Sequence, residues 1–394
     1  MDKIKNAVAA ICTFDVKDDV VLKAFAKFSG SGEVECFEAY GEICRQLLIS
    51  GRTLGEYLHD MLVYSESEFI AKCAAAPTEL QKKAIECDLH TIEFLSRYSA
   101  EKLKAMLSDR FDNLLFHSLP DFEQGEFSYT ADYFLSFAAK HGSGMFARYK
   151  AFSFDGNELF PVENTDPIRL SDLKNYKVQR DQVVENTVCF LNRKPAQNVL
   201  LYGDRGTGKS STVKALLNEF DGLRMVEVSK NDVAGLPKLF RILKNNPLRF
   251  IITIDDLTFA ESDDRFGILK AALEGSLSAR PENILIYATT NRRKIVKETS
   301  AERSGDDISR SDAIDESMSL ADRFGLFVTF SKPNKEVYLD IVKQLADDRQ
   351  LSLPDEELFA AAERFALRRS GRSPRVARQF IDHLVGRIEL GMDY

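Results

Sequence analysis

The run Gly203-Asp204-Arg205-Gly206-Thr207-Gly208-Lys209-Ser210 constrains this chain more than any other stretch, because of what stands on either side of it. Before it lies Asn198-Val199-Leu200-Leu201-Tyr202, an apolar strand-like run, and after it Ser211 to Leu217 reads as a helix. Strand, glycine-rich loop and helix therefore follow one another in the order that a phosphate-binding loop requires. In such a loop the backbone N–H groups converge on phosphates and the helix N-terminus adds its dipole, while a lysine and a hydroxyl meet the terminal phosphate and Mg²⁺. The bland alternative is a glycine-rich turn, and the flanks favour the phosphate site. Gly203, Gly206, Thr207, Gly208, Lys209, Ser210 and Ser211 are the residues expected to touch a nucleoside triphosphate. The side chains of Arg205 and Thr207 read as loop filler, and Thr212 as helix surface.

At 394 residues, with 44% hydrophobic and 29% charged residues, the chain is too long for one typical core, so two or three domains are expected. A net charge of -8 disfavours a general nucleic-acid binder, although a local basic patch stays compatible with it. The six cysteines, Cys12, Cys36, Cys44, Cys73, Cys87 and Cys189, contain no C-x-x-C pair and read as reduced core thiols, not as a zinc site or disulfide framework. Lys3 and Lys5 precede a short apolar stretch, but Asp15, Asp18 and Asp19 follow without a small-residue cleavage site, so no leader is expected. No run reaches the length of a membrane span, and the cytoplasm is the expected compartment.

The expected organisation is a mostly helical N-terminal domain over 1–165, a nucleotide-binding core over 166–332 and a helical lid over 333–394. Ile85, Leu89, Ile92 and Leu95 recur at helical spacing and Leu103, Met106 and Leu107 extend the stripe, which reads as core, with a partner-binding groove as the alternative. Met145 to Phe154 alternates like a strand after Gly142-Ser143-Gly144. Pro161, Asn164, Asp166 and Pro167 read as a linker. Beyond it, strands are expected at Val199 to Tyr202, Arg224 to Val228, Phe250 to Ile254, Ile284 to Ala288 and Leu326 to Phe330, with helices between. That pattern predicts a parallel five-stranded sheet covered on both faces, a three-layer α/β sandwich. Glu336 to Leu345, Asp355 to Leu367 and Arg375 to Leu390 read as the lid helices.

The strand Phe250 to Ile254 ends in Asp255-Asp256. Asp255 is placed to hold Mg²⁺ beside the loop hydroxyl of Ser210, and Asp256 to orient or deprotonate an attacking water. The competing reading is a pair of acids capping the next helix. The run Asn283 to Ala288 ends in Thr289-Thr290-Asn291, and an amide at a neighbouring strand end can bond the water or the γ-phosphate. Ligands of open parallel sheets bind at the carboxyl ends of strands, which ties these residues to the loop.

The order of motifs resembles the AAA+ ATPase superfamily, with its P-loop (Walker A) and acidic-strand (Walker B) motifs. Within it the chain is similar to a bacterial ATP-binding family catalogued as domain of unknown function 815. The resemblance runs from about Asp172 to Tyr394 and is carried by Asn198 to Ser211, Ile254 to Leu257, Ile286 to Arg293, Ser319 to Gly325 and Arg372 to Phe380. It implies that Asn291 is the first sensor, Arg323 the arginine finger offered to a neighbouring subunit, and Arg375 the lid sensor that pairs with phosphates. Arg323 also reads as a solvated surface arginine, and Arg364, Arg368, Arg369, Arg372, Arg375 and Arg378 as a basic run serving an interface or an anionic partner. Leu170, Leu173 and Tyr176 lie where such relatives seat the base; generic packing explains them equally. The chain lacks an Asn-Lys-x-Asp segment, which points to ATP over GTP.

Two departures bear on function. Most resembling hydrolases end the acidic strand in Asp-Glu, whereas Asp256 is one methylene shorter, so slow turnover is expected. Ser229 to Leu236 lacks the aromatic residue that threading relatives carry, which disfavours polypeptide unfolding. The charged stretch between Arg293 and Leu320 reads as a mobile loop that orders when subunits meet. The leading expectation is a homo-oligomeric ATPase using ATP and Mg²⁺ to remodel or assemble an unknown protein client gripped by the N-terminal domain. The alternatives are a nucleotide-switched binding module with negligible hydrolysis, and a DNA-associated loader, disfavoured by the overall acidity.

Overall fold

The computed structural model describes the chain apart from residues 1, 31, 75, 112–117, 261–263, 275–280, 292–295, 298–322, 370, 391 and 393–394. The chain divides into two compact units, 1–149 with 245–248, and 150–244 with 249–394.

In the first unit every described element is a helix, from Asp2–Ala10 to Met145–Arg148. The starts are set locally: Thr53 with Glu56 and Thr78 with Gln81 form reciprocal capping boxes, and Asp19, Ser67, Ser99 and Thr130 accept N–H bonds at other helix starts. The stripe Ile85, Leu89, Ile92, Leu95, Leu103 and Leu107 is buried in this unit's own core, with Met106 packed against it. That excludes the open-groove reading of the stripe. Cys36, Cys44 and Cys73 are buried, whereas Cys12 and Cys87 are exposed and correct the expectation that every thiol lies in a core.

Among the described residues the second unit has nine short strands: β1 Ala151–Phe154, β2 Leu159–Val162, β3 Val199–Gly203, β4 Leu223–Val228, β5 Arg249–Ile254, β6 Phe259–Ala260, β7 Ile284–Thr290, β8 Val296–Lys297 and β9 Leu326–Phe330. Seven of them form one sheet in the order β2-β1-β4-β5-β7-β3-β9; β6 and β8 pair separately. Every pairing in the large sheet is parallel except β1 with β2. β3 therefore sits between β7 and β9, and β5 is its second neighbour, which brings the ends of β3, β5 and β7 together. All seven residues of β7 are buried, as expected for a central strand covered on both faces.

The five expected strands are present; of the others, β1 forms the end of the Met145 to Phe154 stretch that reads as a strand, whereas β2, β6 and β8 were not anticipated. Met145–Arg148 is a helical turn, and the strand begins only at Ala151, where it pairs in parallel with β4. β1 and β2 precede the boundary expected near 165, yet both belong to the sheet, and the structural division falls at Tyr149–Lys150. The Pro- and Asp-rich stretch that suggested a linker instead follows an edge hairpin, where Pro161 sits on the outermost strand.

Three helices, Lys335–Asp348, Asp355–Leu367 and Pro374–Glu389, close the unit around their own core of Tyr338, Ile341, Leu358, Ala362, Val376 and Phe380. No described helix is long and apolar enough to cross a membrane.

Candidate nucleotide site

β3 ends in Gly203, whose φ of +138° and surroundings admit no side chain: a Cβ there would lie 2.0 Å from the carbonyl oxygen of Phe330 on β9. Close approach of two backbones fixes where the loop leaves the sheet. Gly203→Ala is expected to cost ~3 kcal/mol or more, since both backbone strain and overpacking are imposed at once; a thermal melt checks this, and an unchanged Tm contradicts it. Gly208, at φ +96° with open space around its missing Cβ, begins the helix Lys209–Glu219 and leaves its amides facing a cavity.

That cavity, of about 420 Å³, is where the expected residues meet: Gly206, Thr207, Gly208, Lys209, Ser210, Ser211, Asp255, Asp256, Asn291 and Arg375 all line it. Lys209 is only 5% exposed, and its three N–H groups go to the carbonyls of Gly203 (2.8 Å) and Asp204 (2.7 Å) and to Asn291 Oδ1 (3.1 Å). All three acceptors are neutral. Burial holds the Lys209 ammonium below the usual lysine range, against the opposing pull of Asp204, Asp255 and Asp256. A polyanion placed in the cavity would supply the countercharge that the carbonyls do not.

Ser210 Oγ donates to Asp255 Oδ1 at 2.6 Å, so a hydroxyl from the loop helix and a carboxylate from β5 stand side by side. These are hard oxygen donors of the kind Mg²⁺ accepts one or two at a time, completing its shell with water and phosphate oxygens. The donor set thus fits a Mg²⁺-nucleotide. Asp256, at φ +50°, accepts from Asn291 Nδ2 at 2.7 Å. Asn291 consequently bridges Lys209 and Asp256 with its two amide atoms.

The lid roofs the loop. Ser373 caps Pro374–Glu389, the Arg375 N–H donates to the Gly206 carbonyl at 3.1 Å, and Arg378 reaches the Asp172 carbonyl at 2.9 Å. On the far wall are Ile168, Leu173, Tyr176, Ile341 and Leu345. Tyr176 takes a left-handed backbone (φ 55°), stacks on Phe330 at 5.2 Å and donates to the Ser331 carbonyl at 2.6 Å; burial pushes its phenol up to about 12. Of the three residues expected near the base, Leu173 and Tyr176 line the cavity, and Leu170 is not among its described lining residues.

Several side chains serve the site in ways that the sequence did not signal. Thr212 is 1% exposed, with Oγ1 bonded to the Gly208 carbonyl, and so is not helix surface. Thr207 is 2% exposed, and its hydroxyl bonds the Asp204 carbonyl, which stiffens the loop. Asp204 itself ties the loop to the end of β9, donating its N–H to Phe330 and accepting from Lys332 N–H at 2.8 Å. Arg180 lines the cavity and donates to the carbonyls of Leu170 and Leu173. Arg323 is exposed and does not appear among the described lining residues. Arg292, Arg293, Ser319 to Asp322 and, apart from 296–297, the charged stretch to Leu320 lie outside the described residues.

A buried parallel sheet with a glycine loop after β3, acids after β5, an amide after β7 and a helical lid after β9 defines a P-loop nucleotide-binding protein of the AAA+ type. The chain belongs to the family described as protein of unknown function (DUF815), whose profile matches residues 147–388. It is 24% identical over 166 residues to a probable spastin homolog of Brugia malayi, covering 35% of this chain and 36% of that one. It is 39% identical over 70 residues to the magnesium-chelatase 38 kDa subunit of Rhodobacter capsulatus, covering 17% of this chain and 20% of that one. The chain thus spans about a third or less of these curated relatives. Among solved structures, the RuvB Holliday junction branch migration motor of Thermotoga maritima aligns with a TM-score of 0.39 at 15% identity, over 58% of this chain and 67% of that one.

Proposed function

We propose that this protein binds and hydrolyses Mg·ATP as a homo-oligomer and couples that reaction to remodelling or assembling a macromolecular partner. The observation that carries the reading is the convergence of Lys209, Ser210, Asp255, Asp256 and Asn291 on one cavity beneath Arg375. Lys209 and the loop amides bind the β- and γ-phosphates, and Arg375 pairs with them from the lid. Ser210 and Asp255 are the residues that would hold Mg²⁺, which when bound neutralises charge on the phosphate oxygens. Asp256 orients the attacking water and takes its proton. Asn291 occupies Asp256 Oδ1 and leaves the second carboxylate oxygen for that water. The adenine lies against Leu173 and Tyr176, facing Ile341 and Leu345 of the lid. The helical unit that ends at Tyr149 is assigned to partner binding, the sheet of the second unit to the nucleotide core and 333–394 to the lid; the cytoplasm is the proposed compartment.

Arg323 is exposed and is not among the described lining residues of its own cavity, which is consistent with a finger offered to a neighbour's site. Arg323→Ala should bind Mg·ATP as the parent does, with turnover lowered by ~10³-fold. Steady-state hydrolysis measured across protein concentrations checks this; full activity in a dilute, strictly monomeric sample contradicts a trans arginine.

One feature favours a second reading, a nucleotide-operated switch with negligible hydrolysis: Asp256 is short for the task and one of its oxygens is already bonded to Asn291. Phosphate release lost in Asp256→Asn supports the ATPase, and no release in any oligomeric state supports the switch.

A further inference from the structure

Two consecutive amides just beyond β5 are captured by a single residue of β7. The Asp256 N–H donates to Thr289 Oγ1 at 3.1 Å, and the Leu257 N–H donates to the Thr289 carbonyl at 2.7 Å. The regular β5–β7 register stops at Ile254 with Ala288, and it is directly after this point that Asp256 adopts its left-handed φ of +50°. Aspartate tolerates this conformation better than most residues but at a cost, which the bonds to Thr289 offset. The same hydroxyl that accepts from Asp256 donates its own proton to Asp255 Oδ1. Thr289 is 5% exposed, inside a strand whose every residue is buried, and a β-branched side chain has little χ1 freedom there. One hydroxyl, fixed in direction, therefore sets the backbone of one acid and the carboxylate of the other.

We propose that Thr289 is the positioning residue for both carboxylates, orienting Asp255 toward the metal and turning Asp256 toward the γ-phosphate. The proposal rests on the ATPase reading given above. Removing the hydroxyl leaves the Asp256 N–H without its acceptor, relaxes the left-handed turn and frees Asp255 Oδ1 to rotate. Ser210 still bonds Asp255 Oδ1, so a metal site persists in the variant but loses one of its two orienting hydroxyls. Hydrogen-bond partners of metal-binding carboxylates are worth roughly 10–100-fold in metal affinity or activity.

The test uses the full chain as wild type, Thr289→Val and Thr289→Ser. Three quantities are measured: Mg·ATP affinity by calorimetry, single-turnover phosphate release, and Mn²⁺ affinity of the ADP-bound protein by electron paramagnetic resonance. The valine variant is expected to bind Mg·ATP within about 3-fold of wild type, to release phosphate ~10–100-fold more slowly and to hold Mn²⁺ about 10-fold more weakly. The serine variant is expected to restore both values to within about 3-fold. Thr289→Ala gives the same comparison with serine should the valine variant fail to fold. Wild-type Mn²⁺ affinity in the hydroxyl-less variant overturns the proposal whatever its turnover, and a serine variant as impaired as valine overturns it by assigning the effect to the methyl group. If the wild type releases no phosphate at all, the ATPase reading fails alone, and the Mn²⁺ comparison still decides the role of Thr289.

Discussion

Asp256→Asn should slow single-turnover phosphate release by ~10³-fold while leaving Mg·ATP affinity within about 3-fold of the parent. The two effects separate because Asp256 lines the phosphate cavity but makes no hydrogen bond to the loop lysine; the Lys209 bonds go to Gly203, Asp204 and Asn291. An amide at position 256 can still accept from Asn291 Nδ2 through its own oxygen, so the geometry of the turn survives. What disappears is the anionic oxygen that takes the proton from water. The relevant measurement is rapid mixing of excess protein with ATP, quenched over time. A rate within 3-fold of wild type would remove Asp256 from the chemistry and leave the nucleotide cavity with a binding role alone. Because the hydrolysis-blocked form holds its nucleotide longest, the same variant is the one from which a trapped partner is best recovered.

How much of this was legible before the fold was known depended on how local the determining contacts are. The loop from Gly203 to Ser210 announced itself because positive φ angles and an exposed set of amides demand particular residues at fixed spacing, and Gly203 and Gly208 meet that demand in the structure. The five core strands were readable as continuous apolar runs, and Asp255 and Asn291 followed from the rule that parallel sheets bind ligands at their carboxyl ends. The strand character of Ala151–Phe154 was readable but its place in this sheet was not, since that is set by its pairing with Met225–Val228, some seventy residues away. Thr289 and Thr212 carried no signal for the same reason: threonine is unremarkable in a strand or a helix, and only the neighbours that their hydroxyls meet across space distinguish them. Tyr176 was placed near the base, but its hold on Ser331, at the entrance to the lid, depends on a bond spanning 155 residues.

Lys209→Ala should abolish measurable nucleotide binding. Hydrogen bonds from a cation to phosphate contribute about 1.5–3 kcal/mol each, and Lys209 offers three donors together with a full charge at the start of the loop helix, so a loss of at least ~100-fold is expected. Burial disfavours the ammonium while the charges of Asp204, Asp255 and Asp256 favour it, and its removal leaves three oxygen acceptors without their donor, so a stability loss of about 1–3 kcal/mol is expected. A melt of the variant within a few degrees of the parent would confirm that binding and not folding has been removed.

Titration calorimetry of Mg·ATP into the wild type and into Lys209→Ala is therefore the most direct test that ammonium 209 and carboxylate 255 share a polyphosphate pocket. The account predicts a saturable heat in the wild type, weakened when Mg²⁺ is chelated, and none in the variant at the same concentrations. No heat in the folded wild type, or equal heats in both proteins, would contradict it.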